Sequence, residues 1–492
     1  MNLLLLIGLP LLTAVTVLLS RNKQQVKWIA LVGSVAQLAL AFVLFFIYKH
    51  ERETGNAAQM LFEQNYPLFK SLNINFHLGV DGISIAMILL TAFVVVAGVL
   101  VSWHIEKMTK EFYFLLLLLG MGAYGFFISL DLFILFFFLE ISVIPKYLLI
   151  GIWGSGKKEY SANKLALMLM GGSALILVGI LGLYFAAGRS FDIMELSKAT
   201  VSLSYQQILF PLLFVGFGVF TALFPLHTWV PDGHSSAPTA GSMFLAGISM
   251  KLGGYGCLRV ATYLLPEGAK EYANIIIILS AIAILYGAFA TMMQKDLKYI
   301  NAYSSVSHVA FSLLGIGMLT QTAITGALMQ MVSHGLMTAL FFAVIGMIYD
   351  RTHTRMVGEM GGLMKKLPFI STIFFIVGLC SLGLPGLSGF VAEMTIFMGS
   401  WENADAFHRI ATIAAAMSIV VTAVYILRAI GNTVMGPIKN ESYLSLKDAA
   451  WNERLAAIIL VVGILAIGIA PGWLNDLLRP AAEEIMNRIA GK

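Results

Sequence analysis

The stretch LFILFFFLEISVIPKYLLIGIWG, residues 132–154, decides the fold, because an apolar run of this length can cross a lipid bilayer. It encloses one acid, Glu140, and one amine, Lys146. The rest of the chain has a similar composition: 59% of the 492 residues are hydrophobic and 12% are charged. About a quarter of the residues in a soluble domain are charged. The composition excludes soluble and disordered chains and predicts an all-α membrane protein.

Apolar runs separated by short polar loops predict about 14 transmembrane helices. Their approximate ranges are 1–20, 26–48, 80–102, 112–129, 131–153, 162–187, 206–229, 238–264, 272–293, 300–319, 322–350, 369–400, 408–434 and 454–476. The first run is expected to be an uncleaved span, because its basic cluster, residues 21–27, follows it rather than precedes it.

We expect residues 1–492 to form a single polytopic membrane domain. Its predicted regions are helices 1–3 (1–110), a first five-helix unit of helices 4–8 (111–265), a second unit of helices 9–13 (266–435), and helix 14 with a tail (436–492). Lys and Arg are more numerous in the loops opposite the two termini, and the richer side is expected to be cytoplasmic. Both termini, including Lys492, are therefore predicted on the periplasmic side of a bacterial inner membrane.

Two predicted spans contain helix-breaking sequences. Span 206–229 contains Pro211 and Pro225 and runs into VPDGHSSAP (230–238), and span 369–400 contains SLGLPGLSGF (381–390). A helix can be interrupted at membrane depth where neighbouring protein or water forms hydrogen bonds with the freed backbone N–H and C=O groups. Paired interruptions are typical of transporter repeats with a site at their interface. The alternative is that these Pro and Gly residues are ordinary membrane-helix residues.

Ionisable side chains also occur inside the apolar runs, where each costs about 3 kcal/mol at the bilayer centre. They are Glu140, Lys146, Lys251, His308, His334 and Glu393. Acid, amine and imidazole groups near hydroxyls such as Ser304, Ser305, Ser307 and Ser333 predict a proton relay. The alternative is structural pairing between helices. Arg259 and Arg428 lie nearer helix ends and are expected to extend toward the interface.

Other chemistry has weaker support in the sequence. Cys257 and Cys380 are too few for a four-thiolate cluster, and neither a P-loop nor a dinucleotide-binding glycine motif is present. His308 and His334 are possible haem ligands, but they lack a duplicate pair on other spans. A hydrolase or metal loop made of His227, Asp232, His234 and Ser235 would rest on spacing alone.

Four motifs resemble the antiporter-like subunits of respiratory complex I. They are FPLHTWVPDGHSSAPTAGSMFLAGISMKLGGYG (224–256), AYSSVSHVAF (302–311), SHGL (333–336) and GLPGLSGFVAE (383–393). The resemblance covers about residues 80–435, and the first motif is highly specific. With glutamate at position 393, the sequence resembles the branch that includes subunit M and mitochondrial subunit 4. The L, N and antiporter D-type branches tend to carry lysine at this position.

The resemblance implies a proton-translocating membrane-arm subunit of NADH–quinone oxidoreductase, a fold of 14 helices with two inverted five-helix repeats, and broken helices 7 and 12. It implies partners of the subunit L and subunit N types and no cofactor in this chain, with NADH, FMN, iron–sulfur clusters and quinone bound elsewhere in the complex. By resemblance Glu140 is the helix-5 glutamate, Lys251 the helix-8 lysine and Glu393 the helix-12 acid. His308, His334 and Trp229 also match family positions.

The chain departs from the family at one position. The family lysine on helix 7 lies five residues before the proline of PLH, and here that position is Phe220. Lys146, six residues after Glu140 on the same predicted helix, is expected to supply the missing cation above Phe220. The alternative is that Lys146 extends toward the cytoplasm.

We therefore predict proton uptake near Lys251, transfer past Ser305 and His308 to His334, and release at Glu393, with Glu140 and Lys146 as a control pair. Rival assignments are a subunit of a cation/proton antiporter or of a membrane-bound hydrogenase, a non-pumping structural spacer, and a solute carrier. Glu393 disfavours the antiporter, and retention of Lys251 and Glu393 disfavours the spacer.

Overall fold

A computed structural model describes residues 1–491, so Lys492, one of the cations used for the topology prediction, lies outside the described residues. Between residues 1 and 491 the α-helical segments are, in chain order, α1 (Leu4–Leu19), α2 (Lys23–Glu53), α3 (Gly82–Val101), α4 (Thr109–Ile128), α5 (Leu132–Trp153), α6 (Lys158–Ala186), α7 (Ile193–Leu196), α8 (Leu203–Thr221), α9 (Trp229–Ser236), α10 (Thr239–Phe244), α11 (Met250–Gly256), α12 (Pro266–Met292), α13 (Leu297–Gly317), α14 (Gln321–Thr352), α15 (Pro368–Ser381), α16 (Ser388–Trp401), α17 (Ala406–Val434), α18 (Trp451–Ile469) and α19 (Gly472–Ile489).

Ten of these helical stretches are long and apolar enough to cross a membrane, and α1 and α15 are shorter apolar helices. Helices suit a lipid environment because each satisfies its backbone hydrogen bonds internally. The predicted multi-pass helical class is therefore confirmed, whereas the count of 14 spans stays a prediction. The most deeply buried long helix is α14, which lies at the centre of the bundle.

The expectation of a purely α-helical chain is wrong in one place. Strands β1 (Leu61–Phe69) and β2 (Ile74–Val80) form an antiparallel hairpin in the connection between the predicted spans 26–48 and 80–102. The sequence of strand β2 alternates apolar and polar residues over Ile74–Leu78, a pattern typical of a strand, and the structure buries residues on both of its faces. Asn73 makes the turn with φ +51°, a conformation that asparagine tolerates well.

A histidine fastens the hairpin to the rest of the chain. His77 Nδ1 lies 2.5 Å from Asp192 Oδ2, and its Nε2 lies 3.2 Å from Glu63 Oε2. Burial alone would lower the pKa of His77, but hydrogen bonding and attraction to the two carboxylates outweigh it, so the pKa is raised. The hairpin is thus tied to the loop before α7.

Both predicted interruptions are present. Helix α8 ends before Ala222, which has φ +67°, and α9 begins only at Trp229, so this break precedes the VPDGHSSAP segment rather than lying within it. Helix α15 ends at Ser381 and α16 begins at Ser388; Gly383 and Gly386, which flank Pro385, have φ values of +78° and +93°. Backbone at these two glycines favours a residue without a side chain.

The predicted span 238–264 is not a uniform α-helix. Two π-helical segments, Leu245–Ser249 and Cys257–Thr262, enclose the α-helical turn of α11 that carries Lys251. Such segments are rare and frequent at functional sites. The apolar composition of the span predicted a helix correctly, but nothing in that composition indicated the wider turns.

The C-terminal helix α19 was not predicted. It is amphipathic and packs its apolar face, including Leu474, Leu478 and Ile485, against α3 and α14. The predicted span 454–476 corresponds to α18, which ends at Ile469.

Candidate functional site

Lys251 lies at the centre of the molecule with no exposed surface. Its Nζ donates hydrogen bonds to the backbone oxygen of Ala246 at 2.5 Å and to His334 Nδ1 at 2.7 Å. Ala246 belongs to the first π-helical segment, and His334 lies on α14. The π turn and the central helix together hold the amine.

A second pair lies beside the break between α15 and α16. His308 Nδ1 is 3.0 Å from Glu393 Oε1, and its Nε2 is 3.0 Å from the hydroxyl of Ser381. The imidazole and carboxylate side chains are only 4% and 6% exposed. Glu393 lies on α16 and Ser381 ends α15, so the break lets both reach the same imidazole.

The predicted order of the two histidines is wrong. His334, not His308, contacts Lys251, and His308, not His334, contacts Glu393. The two imidazole rings have their centroids 6.1 Å apart and are tilted by 36°. The contacts therefore run Lys251–His334, then His308–Glu393, with a gap between the two rings.

Within residues 1–491, none of the four predicted serine hydroxyls hydrogen-bonds to the buried lysine, histidines or glutamate. Ser333 donates to Ser388 at 2.8 Å, which joins α14 to the first residue of α16. Ser304 accepts from the Tyr425 hydroxyl at 3.2 Å. Ser305 and Ser307 instead donate to backbone carbonyls, so the structure does not place Ser305 between Lys251 and either histidine.

Lys146 is buried, and its amine points at the residue that replaces the family lysine. Nζ lies 5.8 Å from the centre of the Phe220 ring and donates to Ser142 Oγ at 3.1 Å. Glu140 accepts a short hydrogen bond from Ser173 Oγ. Among residues 1–491 no carboxylate lies within 4.0 Å of the Lys146 amine. Extension of Lys146 toward the cytoplasm is contradicted, because the side chain is 1% exposed.

Arg259 contradicts the expectation that it extends to the interface. It is 2% exposed, and its guanidinium donates a short hydrogen bond to Asp81. Asp81 also caps α3 by accepting from Ser84 N at 2.9 Å. Arg259 further faces the rings of Tyr255 and Tyr263. By contrast, Arg428 is exposed and donates to the Met292 carbonyl.

The VPDGHSSAP segment, most of which is helical in α9, is not part of any cluster of His, Cys, Asp and Glu side chains that could hold a metal ion within the residues that the structure describes. His234 stacks on Phe342 at 4.8 Å, whereas Asp232 pairs with Lys164 at 2.7 Å. Trp229 is fully buried and donates to the Val219 carbonyl at 2.9 Å. Trp229 therefore bridges the break between α8 and α9.

Comparison with known proteins identifies the family. The protein-family model described as "NADH:quinone oxidoreductase/Mrp antiporter, TM" matches residues 129–419 of this chain. NADH-quinone oxidoreductase subunit M of Rickettsia bellii is 34% identical over 98% of this chain and 97% of its own length. NAD(P)H-quinone oxidoreductase chain 4 of Synechococcus elongatus is 37% identical over 95% of this chain and 88% of its own length.

This chain belongs to the subunit M/chain 4 family.

The resemblance seen in the sequence motifs is thereby confirmed, including the branch indicated by Glu393. A chain of Thermus thermophilus respiratory complex I matches 99% of this subunit M/chain 4 homologue with a TM-score of 0.90 and 26% identity, and 99% of that chain is covered. A chain of the Mrp complex from a Dietzia species has the same fold, with a TM-score of 0.86 and 19% identity over 99% of this chain and 97% of its own.

Proposed function

We propose that this chain is a proton-translocating membrane-arm subunit of an NADH–quinone oxidoreductase in a bacterial inner membrane, with both termini periplasmic. The observation that carries the proposal is the pair of buried contacts Lys251–His334 and His308–Glu393. NADH oxidation and quinone reduction belong to other subunits, which hold the FMN and iron–sulfur clusters, and this chain holds no redox centre. Subunit L and subunit N types are its proposed neighbours.

The proposed architecture has 14 transmembrane helices in a single domain. Inverted repeats occupy residues 111–265 and 266–435, flanked by an N-terminal region (residues 1–110) and a C-terminal region (residues 436–492). Each proposed repeat contains one interruption, after α8 and after α15. Glu393 lies next to the second interruption and Lys251 follows the first, which supports a site at the interface of the two repeats.

Hydrogen-bond roles give the relay a direction. Because the Lys251 amine donates to His334 Nδ1, the neutral imidazole carries its proton on Nε2. Within residues 1–491 nothing hydrogen-bonds to that Nε2 atom. When Lys251 gives a proton to Nδ1, the imidazole becomes a cation whose Nε2 proton can pass toward His308, and His308 in turn gives its Nδ1 proton to Glu393.

The gap between the two histidines acts as the gate of the proposed relay. Ring centroids 6.1 Å apart leave the ring nitrogens of this pair without a direct hydrogen bond. A proton crosses this gap only when one ring rotates or a water molecule bridges the two rings, so protons do not leak continuously through the chain. A proton that moves against about 150 mV needs roughly 3.5 kcal/mol, which the redox reactions of the partner subunits supply.

A substitution at the release end tests this function. We expect Glu393→Gln to slow proton transfer through this chain about 100-fold, because the amide cannot exchange a proton with His308. The readout is the number of protons moved per NADH oxidised by the assembled complex in sealed vesicles. Glu402→Gln is the matched control, an exposed glutamate just beyond the end of α16. Normal pumping by Glu393→Gln would contradict the relay.

We further propose that Lys146 replaces the missing helix-7 lysine as the cation of the control pair with Glu140. The proposal is supported by the direction of its amine, which reaches the Phe220 ring from α5. The serines that bind Glu140 and Lys146, Ser173 and Ser142, supply polar contacts between which a charge can shift.

Relocating the amine tests that replacement. We expect Lys146→Met to slow coupled proton transfer about tenfold, the effect of about 1.4 kcal/mol on one barrier. The double variant Lys146→Met/Phe220→Lys returns a lysine to α8 and is expected to recover most of the rate. A full rate in Lys146→Met, or a double variant that assembles normally but pumps no better than the single one, would show that Lys146 is not the replacement.

A further inference from the structure

A narrow apolar crevice opens on the side of the bundle, between α2 and α18. Its walls include Phe42 and Phe45 of α2, Phe93 of α3, and Val462 and Ala466 of α18. The volume of the crevice is about 240 Å³. This space is too small for a helix, whose diameter is about 10 Å, but it suits a single flexible hydrocarbon chain.

One end of the crevice carries charges of both signs. Phe45 and Trp473, whose rings meet edge to face at 5.9 Å, line both the apolar crevice and a second pocket with Lys49, Glu53 and Asp476. These charges lie where the apolar run of α2 ends, and tryptophan is enriched at that level of a membrane. The apolar and charged regions thus follow each other as the tail and headgroup of a lipid do.

The charges at this end are available to a ligand. Lys49 and Glu53 are 60% and 62% exposed, and their closest charged atoms are 3.6 Å apart. Asp476 is exposed as well. Arg52, in contrast, is occupied, because it donates to the backbone carbonyls of Asn56 and Ala58. This end therefore carries two cations, Lys49 and Arg52, and two carboxylates, Glu53 and Asp476, and this balance of charge complements a headgroup with one phosphate and one ammonium group.

We propose that this crevice binds a phospholipid with a zwitterionic amine headgroup, such as phosphatidylethanolamine. One acyl chain fills the space between α2 and α18, the phosphate contacts Lys49, and the ammonium group contacts Glu53 and Asp476. A purely anionic headgroup fits less well, because it would face the two carboxylates. A quinone headgroup has no charge to pair with these side chains.

The bound lipid would support the central helix of the proposed relay. Val332 and Leu336 of α14 form the inner wall of the crevice and flank His334 in the sequence. On the opposite wall of the crevice, α18 packs directly on the break before α16. Gly468 of α18 has no side chain, so its backbone lies close to the backbone of Gly386. An acyl chain in the crevice therefore contacts α14, which carries His334, and α18, which packs beside the break that precedes Glu393.

Photolabelling of the assembled complex in lipid nanodiscs tests the proposal. The probe is phosphatidylethanolamine with a diazirine in one acyl chain, and labelled peptides are identified by mass spectrometry. We expect labels on α2 and α18. In Val462→Trp the larger side chain occupies part of the crevice, and we expect about tenfold less labelling, because an acyl chain that buries two fewer methylene groups binds more weakly by roughly that factor. Val178→Trp is the control, since Val178 and Val462 are each 56% exposed.

Headgroup recognition is tested separately, so that a folding defect in Val462→Trp cannot decide the outcome. Lys49→Glu changes only an exposed side chain and is expected to reduce labelling about tenfold, the effect of about 1.4 kcal/mol. Equal labelling in wild type, Val462→Trp and Lys49→Glu would overturn the proposed site. Equal labelling by phosphatidylglycerol with the same diazirine chain would overturn the zwitterionic headgroup.

Discussion

Replacing Lys251 with methionine is expected to slow proton transfer through this chain about 100-fold, the size of effect expected when a positioned proton-transfer group is removed. Methionine keeps an unbranched side chain in the same buried space, but it has no proton to exchange with His334. We expect the complex to assemble, with fewer protons moved per NADH oxidised. A pH-sensitive dye in sealed vesicles measures the initial rate.

Lys27→Met is the control for this substitution. Lys27 is also a buried lysine, 6% exposed, but it pairs with Glu106 far from the relay contacts. Hydrogen bonds from Lys27 and Lys23, together with their positive charge, lower the pKa of the Glu106 carboxyl. The relay would have to be abandoned if Lys251→Met moved as many protons per NADH as Lys27→Met.

The second large effect is expected at Asp81. Asp81→Ala leaves the buried Arg259 guanidinium without its carboxylate and removes the cap of α3. Breaking a buried pair and losing a cap together lower the free energy of unfolding by about 4 kcal/mol. The measurement is the temperature at which half of the chain aggregates when the detergent-purified complex is heated.

Two further variants separate charge burial from the loss of the helix cap. Asp296→Ala removes a similar cap and ion pair of α13, but the partner Arg355 is 21% exposed, so we expect a loss of about 1 kcal/mol. Asp81→Ala/Arg259→Met removes both charges and is expected to recover most of the stability. Equal losses in Asp81→Ala and Asp296→Ala would mean that the buried pair does not stabilise the fold.

Sequence reasoning identified the groups at the centre of the molecule but not their arrangement. Lys251, His334, His308 and Glu393 were found because ionisable residues rarely occur in apolar runs, and the structure brings them into two contacting pairs. Their order was wrong, because the histidines lie on neighbouring helices and a sequence does not show how each helix is turned about its axis.

Two features that were not predicted, the helix cap at Asp81 and the strand Ile74–Val80, do have local sequence signals. They were missed because the surrounding apolar residues favoured a membrane-helix interpretation. Asp81 stands immediately before an apolar run, as a helix cap does, yet its partner Arg259 lies 178 positions away and only tertiary packing brings them together. The alternation in Ile74–Val80 indicated a strand. The direction of Lys146 was predicted, because an amine on α5 could reach the position that lacks the family lysine.

The wide turns on either side of Lys251 limit the changes in length that this helix tolerates. A π turn holds one residue more than an α turn, and each residue of an α-helix advances the side-chain direction by about 100°. Because the wide turn absorbs its extra residue, deleting one residue from Leu245–Ser249 would restore regular winding there and leave the amine directed toward α14, whereas a deletion within the α-helical turn Met250–Gly256 would rotate the two ends of the helix relative to each other by about that angle. Chains that exchange this segment can therefore lose a residue from the wide turn, but not from the regular turn that carries the lysine.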